Sequence, residues 1–354
     1  MHSRRSGHDN SQEAPINTLH SCVHEHVVRS SQSSTKTTPP GAAMRGGIAP
    51  TKIIIKEDAA LVDAVVAQCA QKWNISDADL RQALYEACQR GDIVDSNNHR
   101  LCATSKLNKG QVIYLHRSAA DETPLPQLQV LWRGDHAMIV NKPAVLSTIP
   151  RGSYIARSVV VAARRQFRND NIVAAHRLDR LTTGCLLLVT SPHYRRSYQM
   201  LFQEGYIEKQ YQAITHTTSA NAGDTCEVGA TFQWNLGMCK PTQSLKVYVD
   251  RHEKTVDTVT CARIVALCNR HIHWCLEPKT GFTHQLRAAL CHHGTPIVGD
   301  PLYPQILKLD HPYNTHPQMA LHAKHIFFQD PITSRNISVE APLPQWWSAL
   351  CKNS

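Results

Sequence analysis

The stretch AAHRLDRLTTGCLLLV, residues 174–189, constrains this chain more than any other. A cluster of charged and hydroxyl side chains runs without a break into the apolar run CLLLV (185–189). That run is of strand length. A membrane helix needs roughly 20 apolar residues, and no run in the chain approaches that. The fold must therefore place Asp179, flanked by Arg177 and Arg180, at the mouth of a strand. A surface turn with local ion pairs would contribute little to stability. Two further stretches argue against so bland a reading. IEKQYQAI (207–214) puts Lys209 and Tyr211 on one face of a strand. LEPKTGFTHQLRAALCHHGTPIVGDPLY (276–303) reads as a strand, a Gly turn, a helix bearing Arg287, and a Pro/Gly loop.

Charge supplies a first pointer to function. Lys and Arg number 38 against 28 Asp and Glu, a formal +10, which suits a polyanionic partner, nucleic acid before anionic membrane. Residues 1–50 carry only +2 of this, so about +8 belongs to the folded part. Twelve cysteines are scattered with no CxxC pair, which excludes a zinc-knuckle or redox framework and indicates reduced thiols in an intracellular compartment. Cys185 and Cys275 sit in apolar runs as small hydrophobes. In RHIHWCLEP (270–278), alternation puts Ile272, Trp274 and Leu276 on one face and His271, His273 and Cys275 on the other. With Cys268, these His and Cys residues read as a half-buried strand, not as metal ligands.

Organisation follows from punctuation and periodicity. Residues 1–51 are Ser-, Thr-, His- and Pro-rich with a TKTTPPGAA linker, the composition of a disordered tail. Its Arg and Ser bias weakly resembles an organellar, for instance mitochondrial, transit peptide, and an ordinary low-complexity tail in a cytosolic or nuclear protein fits equally. Residues 52–118 form a small α/β unit. LVDAVVAQCAQKW (61–73) has helical spacing, ISDADLRQALYEACQRGDIV (75–94) is a second helix capped by Ser76 or Asp77 and stopped at Gly91, and NKGQVIYLHR (108–117) turns into a strand. Residues 119–127 are a Pro-containing linker. From 128 to 350 the pattern is mixed: strands in 128–143, an amphipathic helix 155–167, a helix 191–205 with Ser191 and Pro192 at its start, strands at 206–215, 244–250 and 255–267, and a helix 283–294.

Four blocks in order, NKP (141–143), HRLDRLTTGCLLLV, KQYQA and TGFTHQLR followed by GTPIVGDPLY, resemble the RluA-type family of RNA pseudouridine synthases. A C-terminal ALHAKHIFFQDP, then APLPQWW, completes the resemblance over roughly two thirds of the chain. The small unit before it resembles, in degenerate form, the alpha-L RNA-binding fold. The resemblance implies an α+β pseudouridine synthase fold with a mixed, mostly antiparallel sheet, flanking helices and a central cleft. It also implies roles. Asp179 matches the catalytic aspartate, Tyr211 the tyrosine that packs on the target base, Arg287 the arginine that pairs with the aspartate, and Arg177 the arginine that replaces the flipped nucleotide. Lys142, Arg164, Arg165, Arg180, Lys209 and His284 are candidates for holding RNA phosphates.

These residue types suit the chemistry. Isomerising uridine to pseudouridine breaks a C–N bond and makes a C–C bond to the same base, with no group gained or lost. No nicotinamide, metal or nucleotide cofactor is needed. A carboxylate must stay ionised in a desolvated pocket, which a neighbouring guanidinium permits. The expected partner is structured RNA, ribosomal or transfer, with a ribosomal assembly particle as a further candidate and no membrane. Two departures stand out: Phe282 replaces the family's arginine in the TGR turn, and Thr183 replaces its TSG serine. The loss at 282 leaves room for a second reading, an RNA-binding or ribosome-assembly factor without activity.

Overall fold

The computed structural model describes residues 42–73, 75–116, 124–150, 156–217, 227–242, 244–250, 255–268, 270–306 and 318–352. Most of the expected tail and much of the expected linker lie outside these residues. The chain divides into two compact units: one runs up to Pro124 and includes 150–156, and the other comprises Leu125–Ile149 with Arg157–Ser354.

In the first unit, β1 (Thr51–Ile54), β5 (Val112–Leu115) and β3 (Ile93–Asp95) form an antiparallel sheet in that order. A two-stranded ladder joins β2 (Ala59–Ala60) to β4 (Lys106–Leu107). Helices α1 (Leu61–Trp73) and α2 (Asp77–Arg90) complete it. Helix α2 starts where expected because Ser76 Oγ accepts the Asp79 N–H, and two aspartates favour the positive end of the helix. It stops at Gly91, whose φ of 71° is left-handed. Leu61, Val65, Leu80, Leu84 and Ile113 are buried in one core, each contributing about 1.5–3 kcal/mol of transfer free energy.

The second unit is built on an 11-stranded sheet. Its strands are β6 (Gln129–Arg133), β7 (Ala137–Lys142), β8 (Val173–Ala174), β9 (Thr183–Val189), β10 (Ile207–His216), β11 (Thr231–Cys239), β12 (Tyr248–Val249), β13 (Val256–Cys268), β14 (His271–Pro278), β15 (Leu321–Gln329) and β16 (Asn336–Glu340). The spatial order is β12-β11-β13-β14-β10-β15-β9-β7-β6, with β16 on β15 and β8 on β9. Among these strands only β9 and β15 pair in parallel; the others pair antiparallel. Helices α3 (Val159–Phe167), α4 (Arg195–Gln203) and α5 (Gln285–His292) flank the sheet.

The apolar run CLLLV lies in strand β9, which is buried at all seven positions. Leu186 and Leu188 pack with α3 residues Val159, Val160 and Ala163, whereas Cys185, Leu187 and Val189 pack with α4 residues Tyr198 and Leu201. Alternation along one strand thus serves two cores. A third core joins α5 to β11, β13 and β14 through Leu286, Leu290, Trp234, Ala262 and Trp274.

Three sequence expectations shift at their edges. Helix α3 begins at Val159, because Ser158 Oγ accepts the Val161 N–H. The 191–205 segment opens as a 3-10 turn over Pro192–Tyr194, and Ser191 makes no side-chain cap bond. In SLKVYVD only Tyr248 and Val249 pair, because Ser244 Oγ accepts the Lys246 N–H and curls the segment into a turn. On β14, His271 and His273 are half-buried and bond to Leu350 O and Gln212 Oε1. Among the described residues no His, Cys, Asp or Glu group has the arrangement of a metal site, and no helix is long and apolar enough to cross a membrane.

One cross-strand row brings distant motifs together. Register aligns Leu276, Tyr211, Ala323, Gly184 and Lys142 across β14, β10, β15, β9 and β7. Gly184 has φ of +105°, and a Cβ there would overlap the Ala323 carbonyl. Gly184→Ala is expected to lower stability by about 3 kcal/mol or more, read as a lower urea midpoint with unchanged slope.

Candidate active site

Asp179 lies in the short connection between β8 and β9, and both sides of it are pinned. Thr148 Oγ1 donates to Leu178 O (2.7 Å) and accepts from Leu178 N (3.0 Å). Thr182 N donates to Asp179 O at 3.1 Å. Beneath them sits Lys142, fully buried, with Nζ donating to Pro143 O (2.9 Å), Arg180 O (2.9 Å) and Thr182 O (2.8 Å). This corrects the expectation that Lys142 holds phosphate: three ammonium hydrogens meet three carbonyls, and none reaches solvent. Burial pulls its pKa down to about 7, while the Asp179 charge pulls it up. Thr183 keeps the role its hydroxyl allows, sharing a 2.7 Å bond with His322 Nδ1.

Arg287, on α5, is 5% exposed and bridges two carboxylates. Nε and Nη2 form a bidentate pair with Asp300 (2.7 Å each), and Nη1 donates to Asp179 Oδ2 at 2.8 Å. Asp300 has a fully buried side chain, and its Oδ1 also accepts the N–H of Leu302 and of Tyr303. The two carboxylates raise the Arg287 pKa despite burial. Asp179 is 28% exposed, so a substrate can reach it. Burial pushes its carboxyl up, but Arg287, His284 and Arg177 more than offset that and hold its pKa below the ordinary value.

Among the described residues, none makes a short contact with the second oxygen of Asp179. His284 Nε2 lies 3.9 Å from Oδ1, beyond hydrogen-bond range. His284 caps α5 at φ 53°, a left-handed conformation uncommon for a non-glycine residue, and its Nδ1 meets Tyr303 Oη at 3.2 Å. Burial lowers its pKa, and the Asp179 charge pulls the other way. Tyr211 is half-buried between two cores, and burial and the Asp179 charge push its phenol well above the ordinary value. Tyr211 therefore stands in the site as a neutral phenol, an aromatic wall.

The remaining expected residues divide. Lys209 donates to Thr280 O at 3.0 Å, tying the 279–284 turn to β10, and burial lowers its pKa to about 8. Arg177 is exposed and Arg180 half-buried on either side of Asp179. Arg164 is 8% exposed and its Nε bonds Ile172 O (2.9 Å), whereas Arg165 is exposed. His176, the histidine of HRLD, stacks on Phe202 and accepts the Leu187 N–H through Nε2. Burial drives its pKa down to about 3, so it is a neutral strut. Asp300, Tyr303 and Thr148 contact the residues around Asp179, and sequence reasoning does not single them out. Asp300 lies in view in GTPIVGDPLY, and the need of a buried arginine for a second partner is the signal that could find it.

Two substitutions test this framework. Lys142→Met orphans three carbonyls, one in a buried and two in part-buried bonds, and is expected to cost about 3–5 kcal/mol, measured by urea unfolding. Asp300→Asn leaves Arg287 with half its buried charge partnering, with an expected loss of about 3 kcal/mol in the same unfolding measurement.

Comparison with known proteins fits this arrangement. Residues 136–292 match the RNA pseudouridylate synthase family. An RNA pseudouridine synthase of Zymomonas mobilis, itself uncharacterised, is 30% identical over 230 residues, 64% of this chain and 99% of that protein. Ribosomal large subunit pseudouridine synthase D of Buchnera aphidicola is 25% identical over 257 residues, 68% of this chain and 79% of its own. The solved structure of human RNA pseudouridylate synthase domain containing 1 superimposes with a TM-score of 0.50 at 20% identity, covering 63% of this chain and 86% of that one, which shows the shared fold. With the fold, the motif order and the relatives in agreement, the chain belongs to the RluA-type family of RNA pseudouridine synthases, isomerases of uridine in RNA.

Proposed function

We propose that Asp179 is the catalytic carboxylate of this enzyme, that Arg287 keeps it ionised and oriented, and that Tyr211 forms the wall against which the target uracil stacks. The observation that carries the reading is the partly exposed Asp179 carboxylate, with one oxygen bound to a buried arginine and the other open to a substrate. An ionised oxygen in a partly desolvated site stabilises positive charge on the sugar as the glycosidic bond loosens, or traps it covalently. The fixed dipoles around Lys142 spare the loop any reorganisation during that step.

A uridine in a stem must be flipped out at a cost of a few kcal/mol. Arg177, exposed beside Asp179, is suited to fill the vacated stack, and Arg180 to hold an adjacent phosphate. The substrate is structured RNA, ribosomal or transfer. The Buchnera relative, named for the large ribosomal subunit, supports ribosomal RNA. The first unit, with two helices and a three-stranded sheet, serves as an accessory RNA-binding module.

Phe282 bears on whether the enzyme is active. Its ring packs with the α5 core, its N–H bonds Gln285 Oε1, and it takes no part in the Asp179–Arg287–Asp300 contacts. The arginine absent at 282 is therefore not one that the carboxylate depends on, which favours the active enzyme over a non-catalytic binding factor. The test is transcriptome-wide pseudouridine mapping in cells with wild-type protein, without it, and with Asp179→Asn. One or a few sites should vanish in both altered cells. An unchanged map, with the variant folded and expressed, would overturn the assignment.

A further inference from the structure

His284 has no part in the roles assigned to Asp179, Arg287 and Tyr211, yet the same contacts hold it in place. It caps the start of α5 with a left-handed backbone, φ 53°, that histidine seldom adopts, and it makes no side-chain cap bond. The unusual backbone therefore serves the direction of the imidazole, not the helix end. Asp300, which clamps Arg287, also accepts the Tyr303 N–H at 3.2 Å, and Tyr303 Oη in turn meets His284 Nδ1 at 3.2 Å. The imidazole and phenol rings meet edge-on, with centroids 5.9 Å apart and planes at 88°. The imidazole stays within reach of a substrate, its side chain 13% exposed beside the 28% exposed Asp179.

This network decides which atom faces the carboxylate. Tyr303 Oη accepts the Val247 N–H at 2.8 Å and has one hydrogen to give, either to Val247 O at 3.2 Å or to His284 Nδ1. When it goes to Nδ1, the neutral imidazole carries its own hydrogen on Nε2, toward Asp179. An imidazolium also has an N–H there. Only the Nδ1–H form would turn a lone pair toward the carboxylate, and repulsion disfavours it. An Nε2–H donor thus faces Asp179 Oδ1 across 3.9 Å.

Two atoms that far apart are beyond a direct bond, but they can share one oxygen at about 2.8 Å from each. That oxygen must accept from Nε2–H and donate to a carboxylate, so it belongs to a hydroxyl. A phosphate oxygen cannot donate, and the Asp179 charge would repel it, which takes His284 out of the phosphate contacts expected from sequence. Within an RNA chain the uracil carbonyls and the ribose ring oxygen only accept, the uracil N–H only donates, and the 3′ and 5′ oxygens are esterified. The 2′-hydroxyl alone does both. Its carbon is bonded to C1′, where the glycosidic bond breaks.

We propose that His284 Nε2 and Asp179 Oδ1 together hold the 2′-hydroxyl of the target uridine, so that His284 is the residue by which the site tells a ribonucleotide from a deoxyribonucleotide. The proposal rests on the reading of Asp179 as the catalytic carboxylate. Held in this way, the hydroxyl sets the sugar with C1′ next to that carboxylate.

The test uses the full chain and two transcripts that differ at one uridine converted by the wild-type protein, which carries ribose in one and 2′-deoxyribose in the other. His284→Asn keeps a residue type that tolerates the left-handed backbone, and its shorter amide draws the donor away from Asp179. Tyr303→Phe removes the hydroxyl that orients the imidazole, and it carries the test if His284→Asn fails to fold. In each folded variant the ribose-to-deoxyribose ratio of kcat/KM should fall about tenfold, through loss on the ribose transcript alone. Where the deoxyribose transcript reacts too slowly to follow, the ratio of Kd values supplies the comparison. A ratio within about threefold of wild type, including equal losses on both transcripts, would overturn the proposal. A wild-type protein that converts no uridine in any cellular RNA, or an Asp179→Asn variant as active as wild type, would instead overturn the reading of Asp179, and the proposal with it.

Discussion

The guanidinium of Arg287 between Asp179 and Asp300 is the interaction on which the rest of the site depends. A carboxylate moved into a partly desolvated pocket tends to take up a proton. Asp179 escapes this because a buried cation lies 2.8 Å away. That cation is itself tolerable only because Asp300, whose side chain has no exposed surface, binds its other two nitrogens. Removing one member of such a buried set costs about 3–5 kcal/mol, far more than an exposed pair contributes. The set therefore acts as a unit that holds one negative charge at a partly exposed position.

Geometry comes from the sheet. Lys142, Gly184, Ala323 and Tyr211 fall on one cross-strand row, so motifs far apart in the chain meet within neighbouring strands about 4.8 Å apart. Gly184 and Ala323 are small at the points where β9 and β15 approach in parallel, and the Gly184 backbone adopts a conformation that disfavours any side chain. Lys142 then converts the buried end of β7 into a three-way hydrogen-bond anchor for the Asp179 connection. Stability and preorganisation share the same residues here, as catalytic sites built on rigid strands require.

Much of this was legible in the residues. Alternation and capping located β9, β10, β13, β14 and helix α2 closely, because each carries a strong local signal: a buried apolar run, a period of two, or a Ser76–Gly91 bracket. Asp179, Tyr211 and Arg287 were legible because their blocks match a family pattern. In the sequence, Lys142, Arg164 and His284 look like surface ligands for the same reason in each case. A cation in a motif looks like a phosphate contact until the tertiary fold shows that its hydrogens are spent on carbonyls or that burial disfavours its charge. Asp300 lay in view but unassigned, since nothing in linear sequence says which carboxylate will lie beneath a helix arginine. The turn at 244–246 overrode strand propensity through a local Ser hydroxyl bond.

The most direct test of the central claim is an NMR titration of the Asp179 carboxyl carbon, in the full-length wild-type protein and in Arg287→Gln. Asp179 should titrate below the ordinary aspartate value in the wild type. It should therefore remain ionised as pH falls through that value, losing its charge only as pH drops through the depressed pKa. In Arg287→Gln, burial loses its largest counterweight, and the same carboxyl should titrate higher than in the wild type. An Asp179 pKa that is the same in the two proteins would contradict the account.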